Sequence, residues 1–255
     1  MKQFALFAVL SILSVQAVPD RSPRIFNGHG APHQPYNAYV LYLNNVNAGF
    51  FGGGSLISDR HVITAAQNIV GFIRWDVGLG SNIFTQLMTV TTNQALAHPN
   101  FNAANRANDI GILTLPASIV FSTQVFPIAL PALNAAVQLP LENEEGSIVG
   151  FGFTTGTSTT RHDFLVRSFQ RVTTNARCQG VFQITIPNHF CGEDNIERSN
   201  VCNGDIGAGF VVNERGRHVL AGVASLITHN CDAQNPTGYT RIAAFRQWIQ
   251  QNTQV

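Results

Sequence analysis

Apolar residues in this chain fall into short runs separated by Gly, Pro and Asn. Tyr39–Leu43, His61–Thr64, Ile110–Leu115, Gly146–Phe151 and His218–Val223 read as strands, because β-rich runs bounded by turn formers suit a half-buried pleated surface. One segment near the C-terminus has another period. Ile242, Phe245, Trp248 and Ile249 share a helical face between Arg241 and Gln251. Many short strands closed by a terminal helix predict an all-β barrel or sandwich.

The apolar run at the N-terminus has a different character. Lys2 precedes Phe4–Leu13, and Val15-Gln16-Ala17 supplies a small-residue cleavage site, so residues 1–17 read as a secretory signal peptide. The run is too short to span a bilayer and no later stretch is long enough, so no membrane partner is expected. A short segment, 18–24, then precedes Ile25.

The 255 residues suit one large all-β unit or two small barrels. Net charge is +1 with no cluster of Lys or Arg, so nucleic acid is not an expected partner. The eight histidines are scattered, and neither H-E-x-x-H nor an EF-hand loop occurs; no metal and no cofactor are expected. No N-x-S/T sequon, internal repeat or flexible linker is present.

The chemistry-bearing motifs come next. Cys202–Phe210 reads C-N-G-D-I-G-A-G-F, and Thr64–Asn68 reads T-A-A-Q-N. R-I-F-N-G lies at Arg24–Gly28, G-G-S-L-I-S-D-R-H-V-I-T-A-A at Gly53–Ala66, N-D-I-G-I-L at Asn108–Leu113 and P-T-G-Y-T-R-I at Pro236–Ile242. In this order and spacing the motifs resemble the chymotrypsin-like serine proteases, most nearly the insect chymotrypsin and brachyurin (serine collagenase) branch. The resemblance covers 25–255. It implies two six-stranded antiparallel barrels, about 25–132 and about 133–242, with a terminal helix at about 241–251 and the site in the cleft between the barrels. Asn134–Gly146, with its acidic E-N-E-E cluster, is implied to be a solvated crossover.

Carried onto this sequence residue by residue, the resemblance exposes two losses. Ile206 stands where the family has its attacking serine, and Gln67 where it has the general-base histidine. Isoleucine has no nucleophilic atom, and an amide accepts no proton near neutral pH. Losing one member of such a unit costs about 10⁶ in turnover in a measured case, and only about 10³–10⁴ over water remains from binding and oxyanion stabilisation. Asp109 matches the triad aspartate, and a hydrogen bond to the Gln67 amide is expected of it. His61 and His98 match ordinary residues of the family and are not expected to replace the base.

Other parts of the family's machinery are implied to persist. Arg24-Ile25 looks like an activation bond for a trypsin-like protease, and Asp205 matches the acceptor of the new Ile25 ammonium. The Gly204 and Ile206 N–H groups match the oxyanion hole. The specificity pocket departs from the pattern: Asn200 falls at its base and Ser225 on its strand, while Ile227 and Thr237 replace wall glycines and narrow it. Four cysteines allow three pairings, which spacing does not decide; the resemblance implies Cys178–Cys191 and Cys202–Cys231. Gly52 and Asn68 occupy the positions of a further family bridge, an absence expected to leave the loop bearing Gln67 less braced.

The function expected from these residues is that of a secreted, extracellular, non-catalytic serine protease homologue. It would act by binding a protein partner: a protease, an inhibitor or a cascade component in a proteolytic, immune or feeding-related process. Two alternatives are a weak or unconventional serine-type endopeptidase and an abundant secretory protein without a specific partner.

Overall fold

The computed structural model describes residues 27–135, 138–153, 155–158, 160–182, 188–232 and 234–255. The leader at 1–17, the segment 18–24 and the Arg24–Ile25 bond lie outside them. Among the described residues, no helix is long and apolar enough to cross a membrane.

Two antiparallel β-barrels make up the architecture. The first runs in the order β6-β5-β2-β3-β4-β8-β7, from β2 (Asn37–Leu43), β3 (Gly49–Leu56), β4 (His61–Thr64), β5 (Arg74–Leu79), β6 (Met88–Thr92), β7 (Gln94–Ala97) and β8 (Gly111–Thr114). Only Asn93 separates β6 from β7, so one bent run pairs β5 on one side and β8 on the other. That closes the sheet. Val40, Leu56, Val62, Trp75, Val77, Leu79 and Leu113 fill its interior.

The second barrel uses β9 (Glu145–Gly150), β10 (Val166–Thr173), β11 (His189–Glu193), β12 (Gly209–Glu214), β13 (Arg217–Leu226) and β14 (Thr237–Arg241). β9 pairs with both β10 and β12, which closes this ring as well. Its core holds Ile148, Phe190, Phe210 and Tyr239, whose three rings pack at centroid distances of 4.9–5.3 Å. Fully burying side chains of this size is worth roughly 1.5–3 kcal/mol each.

The sheet has one extra strand. β1 (His29–Gly30), within the span assigned from sequence to the first barrel, pairs instead with Val166 and Arg167 of β10. β11 covers β10 only at Arg171–Thr173, which leaves that edge open for β1.

The terminal helix also differs from its expected bounds. Ile242–Phe245 forms a 3₁₀ turn, and α2 is Arg246–Thr253. Ile242, Phe245 and Ile249 are buried among Ile63, Ile110, Val211 and Leu220, a cluster drawn from both barrels. The helix thus fastens the two barrels together. A second helix, α1 (Asn175–Phe182), was not legible from periodicity, since Cys178 is its one buried residue. Thr174 Oγ1 caps it by accepting from the Arg177 N–H at 3.2 Å. Disulfides join Cys178 to Cys191 and Cys202 to Cys231, with Cα–Cα distances of 5.7 and 5.0 Å.

Candidate functional site

The barrels meet where β3 faces the loop after Cys202, and small residues make that approach possible. The Gly53 N–H donates to the Ile206 carbonyl at 2.9 Å. A Cβ on Gly53 would lie 2.6 Å from Ala208 Cβ, and one on Gly52 would lie 2.4 Å from the Ile206 oxygen. No larger side chain fits. The turn carrying Ile206 is held by bonds from Ala208 N to Asp205 O (2.9 Å) and Gly207 N to Ala224 O (2.8 Å), with Gly204 and Gly207 at φ +89° and +94°.

Gln67, in the 3₁₀ turn Ala66–Asn68 that follows β4, comes directly against Asp109, which precedes β8. The buried Asp109 carboxylate accepts from the Gln67 N–H at 2.9 Å, Gln67 Nε2 at 2.5 Å and Ser225 Oγ at 2.6 Å. Gln67 Nε2 also donates to the Ser225 carbonyl at 2.9 Å, so both amide hydrogens are engaged. Burial pushes the Asp109 carboxyl above its usual range, and the Ser225 and Gln67 bonds pull against that shift.

Asn68 braces this loop by hydrogen bonds in place of the missing bridge. Its side chain is buried, and Nδ2 donates to the Ile206 carbonyl at 2.8 Å and to Thr64 Oγ1 at 3.0 Å. Trp75 Nε1 donates to the Asn68 carbonyl at 2.9 Å. Hydrogen bonds tie the Gln67 turn to the Ile206 loop where the family's bridge is missing.

Asp205 lies beneath the same loop. It is fully buried and accepts from Gly152 N at 2.8 Å and Cys202 N at 3.2 Å. Among the described residues no cation pairs with it. Burial pushes its pKa up to about 7 against those two bonds. Arg24 and Ile25, its implied activation partners, lie outside the described residues.

The residues of the expected specificity pocket bind one another. Asn200 Nδ2 donates to the carbonyls of Asp232 (2.8 Å) and Asn235 (2.9 Å). Its Oδ1 accepts from Thr237 Oγ1 at 2.6 Å and Val201 N at 2.9 Å. Thr237 is 0% exposed, and Ile227 packs on the core of the second barrel. Asn200 therefore has all four of its hydrogen-bonding positions filled. His61 and His98 sit elsewhere: His61 Nδ1 bonds Ser58 Oγ at 2.9 Å, and His98 packs on Phe245 and Trp248.

Sequence reasoning missed the cleft on the other side of Ile206. It encloses about 380 Å³ against Tyr42, Phe50, Phe51, Phe72, Phe153 and Gly204, and it reaches Gln67, Asn68 and Ile206. Tyr42 and Phe72 stand 4.5 Å apart, Phe50 and Phe72 5.7 Å, and Phe51 and Phe153 5.2 Å. Among the described residues, no charged side chain lines it. Gly204 and Ile206, whose backbone N–H groups meet no acceptor among the described residues, and Asn203 line it as well. The paired phenylalanines at 50–51 were a signal, but their partners come from distant segments.

Comparison with known proteins gives a consistent picture. The family model described as Trypsin matches residues 25–249. Chymotrypsin of Phaedon cochleariae is 30% identical over 241 residues, 92% of this chain and 84% of that protein. Collagenase of Hypoderma lineatum is 28% identical, covering 91% and 88%. An Anopheles gambiae protein named inactive CLIP domain-containing serine protease A8 is 30% identical, covering 78% of this chain and 58% of its own length. The solved structure of HL collagenase superposes with a TM-score of 0.78 at 27% identity, covering 90% of this chain and 99% of that one.

Proposed function

The chain belongs to the trypsin family of serine proteases, and we propose that it is a secreted, non-catalytic member that works by binding another protein. The observation that carries this reading is the Gln67 amide, which spends both hydrogens on Asp109 and the Ser225 carbonyl beside an isoleucine at 206. Neither residue supplies the base or the nucleophile that acyl transfer requires. The disulfides suit an oxidising compartment, and residues 1–17 suit secretion.

What remains is a surface. The uncharged aromatic cleft beside Ile206 offers apolar area and two backbone donors, which fit an extended neutral segment of a protease, an inhibitor or a cascade component. A relative bearing the word inactive in its name shows that this family includes members described as such. Cleavage of Arg24–Ile25 by a trypsin-like protease would deliver an ammonium to Asp205 and order the loop that forms one cleft wall.

The test is an array of neutral decapeptides rich in Phe, Leu and Ile, read for both binding and cleavage. Saturable binding that Phe50→Ser and Phe72→Ser weaken, with peptides recovered whole, is the expected result. Recovery of cut peptides, or binding indifferent to both substitutions, refutes the reading.

A further inference from the structure

A second cavity of about 240 Å³ lies on the outer face of the second barrel, away from the groove between the barrels. Arg167 and Phe169 of β10 form one wall, Tyr36 another, and Asn213 and His218 from the β12–β13 hairpin a third. Arg167 is the unusual member. Its guanidinium carbon sits 4.2 Å from the centre of the Phe169 ring, which holds the guanidinium against the wall. Its Nε is buried with no hydrogen-bond partner, and among the described residues no carboxylate pairs with it.

A buried guanidinium nitrogen left unpaired is unfavourable and calls for an explanation. The neighbours supply one. Tyr36 is nearly buried, and its hydroxyl meets no acceptor among the described residues while feeling the Arg167 charge. Glu145, the one carboxylate in the wall among the described residues, is already paired with Arg171. A positive charge and a neutral donor thus line one small cavity with no unpaired carboxylate beside them among the described residues.

We propose that this cavity binds an oxyanion group, carboxylate, sulfate or phosphate, with Arg167 supplying the charge and Tyr36 the second donor. A planar guanidinium matches such groups through paired N–H donors. The volume admits the group and a short stem. The site stands independently of whether the groove between the barrels turns over substrate.

Calorimetric titration of the full-length protein tests this with two anions, sodium sulfate and N-acetyl-aspartate amide, at an ionic strength held constant with sodium chloride. The expected result is saturable binding of at least one anion. Arg167→Gln should weaken it by about tenfold or more, Tyr36→Phe by less, and Arg74→Gln, on the first barrel and paired with Asp76, not at all. Tyr36→Phe removes a single oxygen, so it remains informative if Arg167→Gln fails to fold. Tighter binding of sulfate supports a free ion as the natural ligand, and tighter binding of the aspartate amide supports an acidic side chain of a partner. No saturable binding of either anion, or equal affinity in folded Arg167→Gln, overturns the proposal.

Discussion

Asn68 donates its side-chain amide to the Ile206 carbonyl at 2.8 Å across the seam between the two barrels. This bond ties the turn that carries Gln67 to the loop that carries Ile206. Asn68→Ala removes it together with the bond to Thr64 Oγ1. The expected cost is about 1–2 kcal/mol, because Thr64 Oγ1 loses its donor while the Ile206 carbonyl keeps the Gly53 N–H. Urea unfolding measures it as a lower midpoint at unchanged slope; no change in midpoint would mean that the clamp carries no weight.

Asp205 makes the uncut chain's stability depend on pH in an unusual direction. The folded protein holds this proton up to about pH 7, whereas an unfolded aspartate releases it near 3.8. The contribution is therefore fully present below about 3.8 and is lost as pH rises through about 7, an effect on the order of 4 kcal/mol. Asp205→Asn should remove that slope, seen in the difference between the two stability curves. Cleavage that places an ammonium on Asp205 should lower its pKa and reverse the slope. Superimposable curves for parent and variant would show that Asp205 titrates normally.

Restoring the chemistry asks how much of the surrounding machinery persists. Asp109 and Ser225 are still bonded at 2.6 Å, and Gly204 and Ile206 still line the cleft. Gln67→His with Ile206→Ser should hydrolyse a small activated ester at least about 10²-fold faster than the parent. Either substitution alone should do nothing measurable, because the members act as a unit. A double variant no faster than the parent would show that the frame has drifted as well.

Thr237→Gly probes the filled specificity pocket. It strips the 2.6 Å bond from Asn200 Oδ1 and loosens the start of β14. A loss of about 1–2 kcal/mol in thermal unfolding is expected. An unchanged melting temperature would mean that water replaces the hydroxyl at no cost.

Residues close together in sequence carried most of what could be read in advance. Gln67 and Ile206 each lie within a continuous motif, so their departures from the family pattern stood out, as did the β4 strand, whose bounds are those of the run His61–Thr64. Features assembled from distant segments did not. The aromatic cleft takes Tyr42, Phe72 and Phe153 from three places, and β1 crosses to the second barrel because an edge of β10 stands open there. The role of Asn68 was hidden for a different reason. A missing bridge is visible in sequence, whereas the carbonyl that an amide will find is not.

The central claim is that this family member binds without turning over, and peptide hydrolysis tests it most directly. The purified protein, cleaved at Arg24, is incubated with a mixed-sequence peptide library beside a control carrying Gln67→Ala and Ile206→Ala, which exposes any contaminating protease. Cleavage no faster than in the control is the predicted result. Cleavage that vanishes in the control would contradict the account and place an unrecognised nucleophile and base in the cleft.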